Sequence, residues 1–95
     1  MAVIGQLLVT AGAQSDHDAL DAVVSAAMAR DGGPPAGLMA HMVRPDGDGF
    51  MIIDVWHTEA AMRQFFESVV LPGLEEVQLM PRELDVWPLW GFAAP

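Results

Sequence analysis

Residues 50–66 read FMIIDVWHTEAAMRQFF and place a strand directly before an amphipathic helix. Residues 50–53 are all apolar, and their β-branched pair and short length favour a strand over a buried helix. Thr58 has the side chain of a helix N-cap, and Glu59 would meet the positive end of the helix dipole. The apolar residues that follow recur at helical spacing: Ala61, Met62, Phe65, Phe66, Val69 and Val70. The stretch therefore predicts a strand, a corner at His57 and a helix.

One further helix and three further strands surround this unit. Residues 2–9 alternate as a strand does, and a helix capped by Ser15 ends at the Gly- and Pro-rich residues 31–35. Residues 37–44 and residues 83–88 are the second and fourth strands. The order βαββαβ predicts a single α+β domain over residues 1–95, a ferredoxin-like plait with two helices on one face of a four-stranded antiparallel sheet. Leu71-Pro72-Gly73 is expected to break the second helix.

The face of the sheet that the helices leave uncovered is expected to be apolar. Burying a large apolar side chain is worth ~1.5–3 kcal/mol, so leaving several of them in water would be costly. A second copy of the sheet is the simplest cover, which predicts a homodimer. The residues assigned to this face are Leu7, Val9, Leu38, Met42, Met51, Ile53 and Val55.

Composition excludes several classes of function. The chain has 95 residues, a formal charge of −9, four arginines and no lysine, so neither a nucleic-acid partner nor an anionic membrane is expected. There is no cysteine, which rules out disulfides, thiolate catalysis and sulfur-ligated metals. The N-terminal segment MAVIGQLLVTAGAQ lacks the basic start of a signal peptide, and no run reaches the ~18 apolar residues of a membrane span. A cytoplasmic protein is expected.

The hairpin turn predicts which polar side chains meet. If Asp46-Gly47 forms a two-residue turn, His41 pairs with Ile52, and Met39 with Asp54. Paired residues share a face, so His41 and Asp54 become diagonal neighbours within reach of a hydrogen bond. A slip of one residue would put the two side chains on opposite faces.

Imidazole beside carboxylate suits general acid–base chemistry. A neighbouring Asp54 would raise the pKa of His41 and select one ring tautomer, as a general base requires. The alternative is a structural pair that satisfies two half-buried polar groups. His57 is expected on the exposed corner, and a solvated first turn is expected to hold Asp16, His17, Asp18 and Asp21. His17 and Asp21 are not interpreted as a metal site, because a third and a fourth ligand are missing.

Residues 54–62, DVWHTEAAM, resemble the dimeric α/β-barrel superfamily, and most of all its antibiotic-biosynthesis-monooxygenase-like branch. The resemblance implies plait-fold homodimers whose two sheets pack face to face. It also implies a pocket between helices and sheet, into which the strand-three tryptophan, here Trp56, reaches. Members include cofactor-free oxygenases, polyketide cyclases, lactone isomerases and haem-degrading enzymes.

The sequence departs from this family at three positions. Where oxygenase-type members have Asn on strand one, the nearest residue is Gln6, and the Asn near the tryptophan is replaced by Ile52 or Asp54. The axial histidine of haem-degrading members corresponds to Phe66. Neither haem nor another cofactor is therefore expected, and the polar set favours proton transfer.

These observations predict a cofactor-free enzyme that cyclises or isomerises a hydrophobic, polyketide-like intermediate. His41 would be the acid/base and Asp54 its orienting carboxylate, while Gln6 would donate a hydrogen bond to a carbonyl or enolate oxygen. The expected substrate-binding residues are Gln6, Met39, Trp56, Met62 and Phe66. Two alternatives stay open, a cofactor-independent monooxygenase of the same family and a non-catalytic ligand-binding dimer.

Overall fold

The computed structural model describes residues 1–93 and confirms the βαββαβ order. All strand pairs are antiparallel, and the four-stranded sheet has the order β2-β3-β1-β4. No helix within residues 1–93 combines the length and the apolar character needed to cross a membrane. The elements are β1 Val3–Thr10, α1 Gln14–Arg30, β2 Leu38–Asp46, β3 Gly49–Trp56, α2 Glu59–Phe65, a π-helical segment Phe66–Val70, α3 Leu71–Glu76 and β4 Met80–Pro88.

Helix caps agree with the sequence in α2 but not in α1. Thr58 caps α2 by accepting a hydrogen bond of 3.2 Å from the backbone N–H of Ala61. In α1 the N-cap is Ala13 rather than Ser15. The carboxylate of Asp16 accepts a 2.8 Å hydrogen bond from the Ala13 N–H, so one acidic side chain satisfies a donor at the helix start.

The expected break at Pro72 is wrong, because residues 59–76 form one continuous helical run. A proline inside an α-helix removes a hydrogen bond and crowds the carbonyl four residues earlier. The wider π-helical turn at residues 66–70 lies directly before Pro72, and the Leu71 N–H bonds to the carbonyl of Phe66. Widening the turn relieves the crowding and lets the chain continue as α3.

The hairpin turn lies one residue later than predicted. Its central residues are Gly47 and Asp48, flanked by the pair Asp46 and Gly49. Gly47 takes φ +55°, which suits glycine at the first position of a tight hairpin. The strand register is thereby shifted by two residues, and an even shift leaves every side chain on its predicted face.

The core lies between the sheet and the helices. A buried cluster fills one end: Leu7, Val9, Leu20, Phe50, Leu74 and Leu79. A second cluster, Val3, Trp56 and Met62, fills the other. Leu7, Val9 and Leu38 thus contact the helices, which corrects their assignment to the uncovered face. In β1 either set of alternate residues is apolar enough to face a core, and in β2 a bulge between Leu38 and Ala40 reverses the orientation of Leu38.

The opposite side of the sheet, the outer face, is mostly apolar. Met42 and Trp87 are 49% and 46% exposed on it. Alternation along the strands places on it the apolar Ile4, Leu8, Ala40, Met42, Met51, Ile53, Val55 and Trp87, together with the polar Gln6, Arg44, Glu83 and Asp85.

Candidate functional site

His41 and Asp54 lie directly opposite each other on β2 and β3. His41 Nδ1 is 2.6 Å from Asp54 Oδ1, a hydrogen bond between side chains that are 47% and 18% exposed. The two side chains meet, as their shared face predicts, although as a direct rather than a diagonal pair. The short distance is typical of a charge-assisted hydrogen bond.

The environment of His41 favours the protonated ring. Its hydrogen bond to Asp54 raises the pKa of His41 above 6.5, burial opposes that rise, and the negative charges of Asp54 and Asp21 add to it. With Asp54 ionised, the ring proton of neutral His41 must lie on Nδ1 to form the bond. Nε2 is then the basic atom of the ring.

His41 and Asp54 line a cavity of about 170 Å³ between the sheet and the helices. Apolar side chains from α1, β2, β3 and residues 59–76 form most of its wall. The cavity is a little larger than one that holds benzene in other proteins, roughly 150 Å³. One aromatic ring of a larger molecule therefore fits beside His41.

Trp56 closes a smaller adjoining cavity of about 30 Å³ together with Met62 and Phe66. Ile52, Asp54, Phe65 and Val70 line both cavities. Trp56 is 1% exposed, and its ring centroid lies 5.5 Å from that of Phe65. Among the described residues its Nε1–H has no hydrogen-bond partner. A buried donor without a partner is costly, so this N–H is a donor that the described residues leave unsatisfied.

Two of the expected substrate-binding residues lie elsewhere. Gln6 pairs with Ile53 and Asp85 on the outer face, because its neighbours Gly5 and Leu7 face the cavity. Met39 is the extra residue of the β2 bulge and is not part of either cavity wall. The assignment of Gln6 as a donor beside His41 is therefore wrong.

His17 and Asp21 of α1 line the larger cavity. Asp21 is exposed there, as expected of a solvated turn, whereas the His17 side chain is only 27% exposed. The His17 ring packs edge-on against Phe50 with a centroid distance of 5.5 Å. His17 precedes the apolar Leu20 and Val24 by three and seven residues, and that helical spacing is the signal that marks it as facing the sheet.

The third histidine lies outside both cavities. His57 is exposed at the strand–helix corner, as expected. Within residues 1–93, no group of three or more His, Asp or Glu side chains is arranged to hold a metal ion.

Known proteins resemble this chain in fold and not in sequence. No protein-family model matches it, and no curated protein is significantly similar to it in sequence. SnoaB, a cofactor-independent oxygenase from Streptomyces nogalater, superimposes with a TM-score of 0.61 at 18% identity over 96% of this chain and 93% of its own. A proposed antibiotic biosynthesis monooxygenase from Deinococcus radiodurans gives 0.60 at 16% identity over 100% and 97%.

Rv0793 from Mycobacterium tuberculosis gives a TM-score of 0.56 at 17% identity over 98% of this chain and 97% of its own. Each superposition spans nearly the whole of both chains, so the similarity covers the complete plait and not one motif. The chain therefore shares the fold of these proteins, which is the fold that the resemblance of residues 54–62 implies.

Proposed function

We propose that the protein is a cofactor-free enzyme that moves a proton next to a carbonyl group of a hydrophobic, polyketide-like substrate. The observation that carries the proposal is the 2.6 Å hydrogen bond between His41 Nδ1 and Asp54 Oδ1 at the wall of an apolar cavity. A histidine oriented by a carboxylate is a general base whose proton-accepting atom is the other ring nitrogen.

Each residue then has a stated role in cyclisation or isomerisation. His41 Nε2 removes the proton, and the carboxylate of Asp54 stabilises the imidazolium that forms. The Trp56 Nε1–H takes the role first assigned to Gln6 and donates a hydrogen bond to the enolate oxygen. Met62, Phe65 and Phe66 form the apolar wall.

We also propose that the protein works as a homodimer joined through the outer face. Support comes from Met42 and Trp87, which leave about half of their area in water. Exposed side chains of this size stabilise association when a second sheet covers them.

Anthrone provides a direct test, because its methylene protons exchange only when its ketone enolises. Deuterium exchange at that carbon, followed by NMR without oxygen, should be faster with the protein than in buffer alone. His41→Ala should slow the catalysed exchange about 100-fold or more, the usual contribution of a positioned general base. His57→Ala is the matched control and should exchange as the wild type does. Equal catalysed rates for wild type and His41→Ala would rule out His41 as the base.

The second candidate function is a cofactor-independent monooxygenase, which the fold shared with SnoaB favours. The same first step applies, after which the substrate carbanion reduces oxygen. With anthrone, one O₂ would convert the methylene to a ketone and release one water. Oxygen uptake matched by anthraquinone formation supports this candidate, whereas exchange without oxygen uptake supports isomerisation. A protein that binds anthrone but does neither is the non-catalytic dimer.

A further inference from the structure

The charges that face the cavity are unbalanced. Two carboxylates line it, Asp21 from α1 and Asp54 from β3. The other ionisable lining groups are His41, which Asp54 holds, and His17, whose Nδ1 lies 3.2 Å from the exposed Asp18. The four arginines stand outside the lining: Arg30, Arg44, Arg63 and Arg82.

We infer that Asp21 makes this cavity select an uncharged aromatic ketone or phenol and reject the corresponding carboxylate. The inference rests on the proposed function and names the class of substrate for the same site. Asp54 already has a partner in His41, whose ring can offset its charge. Asp21 is left as the charge without an ion-pair partner, and an incoming anion meets it at the cavity. Apart from His17 and His41, the described lining has no basic side chain that could bind a carboxylate.

Coulomb's law and screening by solvent set the size of the expected change in anion binding. Asp21 is exposed at the rim of the cavity, so water and salt screen its field. Two like charges about 7 Å apart in a medium between water and protein surface repel enough to change binding roughly 3- to 10-fold. A neutral ketone experiences no such repulsion and keeps its contacts with the apolar lining.

Selection against carboxylates limits which reactions can supply the substrate. Aromatic polyketide chains carry a carboxyl group when they are released as free acids. A substrate of this cavity must have lost or masked that group first, by decarboxylation, esterification or lactonisation.

Two probes of nearly equal shape test the inference, 2-acetylnaphthalene and 2-naphthoate. Each is titrated at pH 8 into the full-length protein, and the NMR shifts of the His41 ring protons give its Kd at this site. The ketone should bind more tightly than the carboxylate. In Asp21→Asn the ratio of the two Kd values should fall about 3- to 10-fold. Asp48→Asn at the exposed hairpin turn removes the same charge outside the cavity and should leave the ratio unchanged.

Three outcomes would overturn the inference: a carboxylate that binds as tightly as the ketone, a ratio that Asp21→Asn leaves unchanged, or His41 signals that neither probe shifts. The result is separable from the proposed function. Equal binding of both probes together with His41-dependent exchange of anthrone would refute the role of Asp21 alone. Selective binding without any exchange would refute the proposed catalysis alone.

Discussion

Met62 occupies the space above Gly5 in which a side chain would stand, since a Cβ at Gly5 would lie 2.6 Å from Met62 Sδ. Gly5 is paired with Asp54 on the neighbouring strand, so this contact forms the base of the candidate site. The missing side chain on β1 is what lets the helix approach the sheet beside the His41–Asp54 pair.

Gly5→Ala should therefore destabilise the protein. The added methyl group must displace the Met62 sulfur, and overpacking of this kind costs about 1–3 kcal/mol. Because a thioether is flexible, we expect the lower half of that range. Urea unfolding measures the change, and Gly91→Ala, where an added Cβ meets open space, is the control. Equal midpoints for the two variants would contradict the contact.

Asp54→Asn should lower the pKa of His41. The hydrogen bond to Asp54 is the largest cause of the raised pKa, and the amide keeps the shape while losing the charge. NMR titration of the His41 ring protons measures the shift, which should be a sizeable fraction of a unit or more. Asp18→Asn is the control, because Asp18 contacts His17 and not His41. An unchanged His41 titration in Asp54→Asn would mean that the two side chains do not interact in solution.

The same pair should make stability depend on pH. His41 has a higher pKa in the folded than in the unfolded protein, so the folded state binds its proton more tightly. The resulting stability is fully present below the unfolded pKa, about 6.5, and disappears as pH rises through the folded pKa. Urea unfolding at several pH values should show this loss in the wild type and a smaller loss in His41→Gln. Parallel curves for the two proteins would contradict the linkage.

Ile53→Asp should dissociate the homodimer. Ile53 lies at the centre of the outer face, and a charge buried there without a partner would be costly. Sedimentation should give about twice the chain mass for the wild type and a smaller species, or an unfolded one, for the variant. Ala60→Asp, on the exposed side of α2, adds the same charge and should stay dimeric. A folded wild-type monomer at micromolar concentration would refute the dimer.

Haem should not form a histidine-ligated complex in this pocket. The position that resembles the axial ligand is Phe66, which lines the smaller cavity and has no ligating atom. Titration with haem should give no Soret band of a histidine-ligated complex. A Soret band that is retained in His17→Ala and His57→Ala but lost in His41→Ala would contradict this prediction. It would show that His41, and not the residue at position 66, corresponds to the axial ligand of haem-degrading members.

The sequence by itself determined the order of elements and the pairing of polar side chains on one face. Strand side chains alternate with a period of two, so the His41–Asp54 contact survived a register error of two residues. The capping of α2 by Thr58 could also be predicted from the sequence, because it depends on a local hydrogen bond between residues three apart.

Only the tertiary structure decided which face of β1 is covered. Both alternating sets on that strand contain large apolar residues, so periodicity separates the sets without saying which one meets the helices. In the packed structure Gly5 and Leu7 face the helices, so Gln6 lies on the outer face. The Trp56 indole, whose N–H has no described partner, lies between the sheet and the helices.

The continuity of residues 59–76 past Pro72 and the position of Asp21 were likewise outside the reach of local pattern. The first depends on the π-helical turn at residues 66–70, which the spacing of apolar residues does not reveal. The second depends on how α1 is rotated against the sheet. Local sequence determines which side chains share a face of a helix or strand, and only the packing of the elements against one another determines which residues that face contacts.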